Sequence, residues 1–269
     1  MAPDRTGLTE AELTSLARVA GHDRDELAGE LRRRPWAIHD LLADPVVVDT
    51  IRDPRLVTDE VSPFLLFAVL TRLAADDLLA GTYVNDWVGP RNRLPVFDVE
   101  PLREFVTAPG RVLFVARLLA SFVEPAPVIA PVSGTNPWEL LDWLDAVEPV
   151  DRVALLRRLG DLSLFLAGVH ADAHGTHVLD PVRAEKVGRS IGMTADEILA
   201  LIDPDSCSPG LDTLEHLGAR WYQEARRDTQ SVPPIVGDIA ERIHSARRFL
   251  THLADRYLSP FEPGWQLAG

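Results

Sequence analysis

Residues 162–169, LSLFLAGV, offer water no polar side of a helix. A surface helix carries its apolar residues on one stripe, whereas a helix that is apolar all round has to be enclosed by other elements. The run 64–70, FLLFAVL, makes the same demand again. Two such helices need amphipathic neighbours around them, and the chain supplies them. Ile235, Ile239, Ile243, Ala246, Leu250, Leu253 and Tyr257 fall at steps of four and three, one face of a long helix expected over 234–258. Glu241, Arg242, Arg248 and Asp255 take the opposite face. The expected fold is therefore mainly α: a compact multi-helix bundle with buried central helices.

Helix starts are marked locally. Thr9 with Glu12, and Thr194 with Glu197, have capping-box spacing, and Leu8 with Leu13 and Met193 with Ile198 add the apolar staple. Ser62-Pro63 and Asn136-Pro137 set a capping side chain before a proline at the first helical position. Helices are expected near 9–20, 24–33, 36–43, 45–52, 62–80, 99–107, 110–123, 137–146, 150–171, 181–190, 195–202, 211–228 and 234–258. β signals are sparse except in TYVNDWVGPRNRLPVFDVE, where two runs rich in Tyr, Val, Trp and Phe flank the turn cluster GPRN. A small β-hairpin is expected near 82–98. Residues 123–137 hold four prolines and read as an extended connection. No repeat of fixed period is present. The reading is one helical domain over 1–269, with the shorter, more polar helices of 1–55 as a candidate N-terminal subdomain.

The formal net charge is −14, from 41 acidic and 27 basic residues, and such a field repels polyanions. Nucleic-acid and anionic-membrane partners are therefore disfavoured. A spanning helix needs about 20 mostly apolar residues. Arg72, Asp76 and Asp77 end one apolar run and Arg117 interrupts the other, so no membrane insertion is expected. The single cysteine, Cys207, has no partner for an intramolecular disulfide, and the N-terminus lacks the apolar core of a signal peptide. A cytoplasmic protein held by packing alone is expected.

The chemistry concentrates in AGVHADAHGTHVLDP. If the central helix runs on, His170, His174 and His177 fall at i, i+4 and i+7 on one face, with Asp172 as an oxygen donor. These four are the candidate ligands of a divalent metal ion, the one candidate cofactor. Gly175 and Thr176 favour an ending helix instead, where histidines simply complement the dipole. The His-Glu-x-x-His arrangement is absent. A metal site would require further donors, for which Glu215, His216, Glu241 and His244 are the first candidates.

Other constellations are weaker. Glu241 and His244 form a single Glu-x-x-His, where a di-iron bundle uses two. ARVAGHDRDEL and GRSIGMTADEI have the small residue, turn glycine and apolar anchor of a helix-turn-helix corner. In the first, Arg24, Arg32, Arg33 and Arg34 are countered by Asp23, Asp25, Glu26 and Glu30; the helix after the second carries no basic residue. Trp87, Arg91, Arg93, Phe97 and Asp98 around the hairpin are typical interface material, or pins holding the hairpin to the helices. Asp161 and Ser163 sit inside the most apolar helix, where a carboxylate must find a partner or change its pKa. P-loop, dinucleotide, nucleophile-elbow and EF-hand patterns are missing, and Cys207 has no adjacent base. Three function classes stand: a binding or regulatory protein acting on a protein or small molecule, a metal-dependent enzyme, and a DNA-binding regulator using the N-terminal corner.

Overall fold

A computed structural model describes residues 8–52, 61–87, 93–123, 137–144, 146–171, 179–201, 206, 208–227 and 232–258. The architecture is mainly α with one two-stranded antiparallel sheet. The chain divides into two compact units, one of residues 1–80 and 106–126, the other of 81–105 and 127–269.

In the first unit, α1 (Glu10–Ala20) begins with the expected capping box, Thr9 and Glu12 each bonding the other's backbone N–H. Gly21, at φ 68°, ends it in the left-handed conformation that glycine tolerates, and Asp23 caps α2 (Arg24–Arg33) two residues later. The short helices α3 (Ala37–Leu42) and α4 (Pro45–Arg52) follow. α5 (Pro63–Ala80) carries the FLLFAVL run and buries Phe64, Leu65, Phe67, Ala68, Val69 and Leu70. Its broadest partner is α7 (Pro109–Val123). Arg117 interrupts the apolar run of α7 because its guanidinium lies 3.1 Å from Glu12 and over the Phe64 ring, 4.4 Å from its centroid.

The second unit opens with the hairpin, β1 (Val84–Trp87) and β2 (Arg93–Val96), in the register Val84–Val96, Asn85–Pro95, Asp86–Leu94 and Trp87–Arg93. α6 (Glu100–Thr107) follows the hairpin. Then come α8 (Pro137–Leu144), α9 (Pro149–Val169), α10 (Pro181–Ile191), α11 (Ala195–Leu199), α12 (Pro209–Arg227), α13 (Pro234–Glu241) and α14 (Ile243–Leu253). As its composition demands, α9 is central: residues 161–168 are all buried. It packs most extensively against α12 and also against α14 and α8.

Small residues make the α9–α12 seam. A Cβ on Gly160 would stand 2.6 Å from the Tyr222 ring, and one on Gly218 would stand 3.1 Å from Ser163 Cβ. Tyr222 donates to the buried Asp161 carboxylate at 2.7 Å. The partner required for that carboxylate thus arrives from another helix, with Arg157 at 4.0 Å as a weaker neighbour. Burial pushes the Asp161 pKa up, against the pull of Arg157 and the tyrosine, and lifts the Tyr222 hydroxyl well above its usual range.

The long helix expected over 234–258 is broken. Arg242 has φ −120° and ψ 29°, so α13 stops at Glu241 and α14 begins at Ile243; a π-helical turn, Ala254–Leu258, closes the segment. Arg242 pairs with Asp238 at 2.6 Å and Glu104 at 3.5 Å. Arg248, expected on the polar face, is instead buried together with Arg247. Among the described residues no single helix is long and apolar enough to cross a membrane.

Candidate functional site

Strand alternation turns Val84 and Asp86 inward on β1. A carboxylate in that position needs charge and hydrogen bonds to replace its water. It receives both from α14, where His244, Arg247 and Arg248 share one face at i, i+3 and i+4. Arg247 Nη1 donates to Asp86 Oδ1 at 2.8 Å, and the Trp87 backbone N–H donates to the same oxygen at 2.8 Å. Arg248 Nε lies 2.7 Å from Asp86 Oδ2, an ion pair although that N–H is not aimed for a hydrogen bond. Arg248 Nη1 also donates to the Asp98 carbonyl at 3.3 Å. On its other side Arg247 Nε donates to Glu215 of α12 at 2.5 Å, and His244 Nδ1–H donates to that carboxylate at 3.0 Å.

Burial alone would raise the Asp86 and Glu215 carboxyls. The Arg247 hydrogen bond and the Arg247 and Arg248 charges more than offset this at Asp86, and His244 with Arg247 does so at Glu215, so both lie below the usual carboxylate range. The same two carboxylates raise Arg247 despite its own burial. Asp86, Glu215 and Arg247 are thus each held in the charged form, and the cluster ties hairpin, α12 and α14 together. His244 is its one exposed member. It presents Nδ1 to the Glu215 carboxylate. Among the described residues no nucleophilic side chain hydrogen-bonds to His244.

The hairpin's other face is open at its Tyr83–Phe97 end. In the pairing register it carries Asn85 with Pro95 and Trp87 with Arg93; Tyr83 and Phe97, just beyond the strands, continue the row. The Tyr83 and Phe97 rings lie 6.0 Å apart at 50°. They are 52% and 71% exposed. Trp87 is held down: it packs against the buried cluster of Ala167, Ala171 and Leu211 together with Leu214, and Arg93 stacks on it at 4.8 Å while pairing with Asp255. Of the expected interface group, Trp87 and Arg93 therefore act as pins and Phe97 is displayed. Arg91 lies outside the described residues.

His170 is the C-cap of α9, with φ −114° and ψ 34°, its ring edge-on to Phe165 at 5.2 Å. The helix thus stops at Val169, short of the expected 171. Close packing accompanies that end: a Cβ on Gly168 would stand 2.5 Å from Leu250 Cβ, and Thr251 donates to the Gly168 carbonyl at 3.1 Å. Asp172, His174 and His177 lie outside the described residues. Among the described residues no group of three or more His, Cys, Asp or Glu side chains is placed to hold a metal ion.

The four further donors divide. Glu215 and His244 meet each other. His216 turns its Nδ1–H back to the Asp212 carbonyl at 2.8 Å, and the helix break at Arg242 takes Glu241 off the helix of His244. Both glycine corners form, Gly21 at φ 68° and Gly192 at φ 70°. At the first, Arg24 is paired with Glu10 and Asp25, and Arg34 lies 3.9 Å from Glu30, so the surface is of mixed sign. Asp86, Glu215 and Arg247 carry no sequence signal as a group, because Asp86 and Arg247 stand 161 residues apart.

Comparison of the chain with models of known protein families, with curated proteins and with solved structures finds no match.

Proposed function

We propose that this chain is a protein-binding module whose partner docks on the open face of the hairpin. One observation carries the reading: Phe97 and Tyr83 are 71% and 52% exposed while Asp86, on the opposite face of the same hairpin, is held in a buried ion cluster. Aromatic anchors bring large contact area at small entropic cost, and a rigid base lowers the ordering cost of binding. Strand addition at the β2 edge is disfavoured by Pro95, which has no N–H to give. Side-chain contact across the face is left as the mode. The lone Cys207 supports a reducing compartment, the cytoplasm, as the place where this happens.

The test is site-specific photo-crosslinking in cells, with the probe at Phe97 or at Val182, which is 77% exposed on α10. A discrete adduct at 97 that is absent at 182 is expected. No adduct at 97, or the same products from both positions, refutes the docking face.

A second reading, a divalent metal held by His170, Asp172, His174 and His177, has one supporting observation. Ala171 packs with Leu211, one turn along α12 from Glu215, so the histidine segment starts near the Glu215–His244 pair. Glu215 itself is already engaged by Arg247 and His244. Metal analysis of untagged protein tests this; less than stoichiometric metal together with no metal-dependent thermal shift refutes it.

A further inference from the structure

This inference rests on the docking face just described and concerns the chemistry of what it takes. The chain seats arginine on aromatic rings repeatedly: Arg93 over Trp87 at 4.8 Å, Arg117 over Phe64 at 4.4 Å and Arg183 over Trp138 at 4.7 Å. The Tyr83–Phe97 pair is a tilted, solvent-facing wedge of two rings with no such cation over it among the described residues. Cations bind ring faces through the quadrupole, and two rings at an angle offer two faces to one charge.

The surrounding charge has the matching sign. Phe97 is followed by exposed carboxylates at Asp98, Glu100 and Glu104. The Asp98 backbone is drawn in by Arg248, its carbonyl accepting at 3.3 Å, while its residue stays exposed. Nearby cations are already engaged: Arg93 with Asp255, Arg103 with the Gly81 carbonyl at 2.7 Å and Glu100 at 3.6 Å, Arg242 with Asp238 at 2.6 Å and Glu104 at 3.5 Å. The Asp98 carboxylate has no ion pair among the described residues. A chain of net charge −14 also attracts a basic partner at long range.

We infer that the Tyr83–Phe97 wedge receives an arginine or lysine side chain from a basic segment of a partner protein, with Asp98 and Glu100 as counter-charges. The cation lies against the rings, and the segment runs on across Asn85 and Pro95.

The experiment measures anisotropy of labelled synthetic peptides with the full chain: an arginine–serine peptide, its citrulline analogue, which keeps shape and loses charge, and a glutamate analogue. The arginine peptide is expected to bind at least about tenfold tighter than either analogue, and to weaken with added salt. Phe97→Ser and the double variant Asp98→Asn with Glu100→Gln each cost about tenfold. Phe97→Leu, which keeps apolar area and removes the ring, costs about two- to fivefold, the weight of an exposed cation–π contact. Phe97 is exposed, so these variants leave the core intact; unchanged melting confirms it. Equal binding of the citrulline peptide overturns the inference. If Phe97→Ser then abolishes both, the docking face stands and only its cation preference falls. Arginine-peptide binding that ignores Phe97→Ser, or no binding by any peptide, also overturns the inference, while the crosslink at position 97 judges the docking face separately.

Discussion

Gly160→Ala and Gly29→Ala are the same change in two helices, and the structure gives them opposite signs. In a helix interior, alanine is favoured over glycine by about 1 kcal/mol. At Gly29 of α2 the new methyl meets only Arg33 Nη1, at 3.6 Å, the end of a flexible side chain. The propensity gain therefore stands, about 1 kcal/mol of stabilisation. At Gly160 the methyl would fall 2.6 Å from Tyr222 Cδ1 and Cε1. Tyr222 is fully buried and its hydroxyl is bound to Asp161, so the ring cannot slide without giving up that bond. Overpacking costs about 1–3 kcal/mol and the strained hydrogen bond about 1 more. Set against the propensity gain, the net is a loss of about 2 kcal/mol. For a chain of this size that is a fall of about 4–8 °C in melting temperature, against a rise of about 2–4 °C for Gly29→Ala. Thermal melts followed by circular dichroism read both. Tyr222→Leu opens the space, so Gly160→Ala should cost less in that background than alone. If Gly160→Ala stabilises as Gly29→Ala does, or the double variant is additive, the close seam between α9 and α12 is wrong.

Asp161 has its pKa raised by burial, so stability is lost as pH climbs from the ordinary 3.8 through the folded value. Asp161→Asn keeps an acceptor for Tyr222; melts across that range should flatten, and the variant should match or exceed the parent at neutral pH. Asp86 and Glu215 lie low, so their contribution is present above the ordinary 3.8 and 4.5 and disappears as pH falls through the folded values. Acid should therefore speed amide exchange in the hairpin, and Glu215→Gln should remove part of that dependence. Arg247→Met removes the cation that Asp86 and Glu215 share, leaving them Arg248 and His244, and should cost about 3 kcal/mol in urea titrations. Adding Asp86→Asn should recover part of that loss, and strict additivity would argue against the cluster.

Helix positions were legible because their signals are local. The Thr9 and Thr194 capping boxes and the Ser62 cap involve residues within one turn, and each forms as spaced. The hairpin was legible from its turn cluster and β-rich flanks. The Arg242 break was not, because the apolar stripe continues on both sides of it: Val236, Ile239 and Ala240 before, Ala246, Phe249, Leu250 and Leu253 after. Periodicity reports that residues share a core, and it is blind to a single non-helical residue between them. The site was legible in one half only. Phe97 stood out by type beside a turn. The cluster beneath it joins β1, α12 and α14, and no single-sequence pattern links Asp86 to residues on two distant helices. Arg248 misled outright, since an arginine opposite an apolar stripe reads as solvated unless a buried carboxylate is known to face it.

The hairpin's lock is also a matter of timing. Asp86 is made 161 residues before Arg247, so at about 5–20 residues per second it waits about 8–32 s for its main counter-ion. Phe105 waits nearly as long for Phe249, whose ring lies 5.8 Å from it in the finished fold. A nascent chain therefore carries an unlocked hairpin over those 161 residues, with the inward carboxylate still in water. Chains cut before residue 247 would contain Tyr83 and Phe97 and lack the arginine that pairs with Asp86 of the same hairpin.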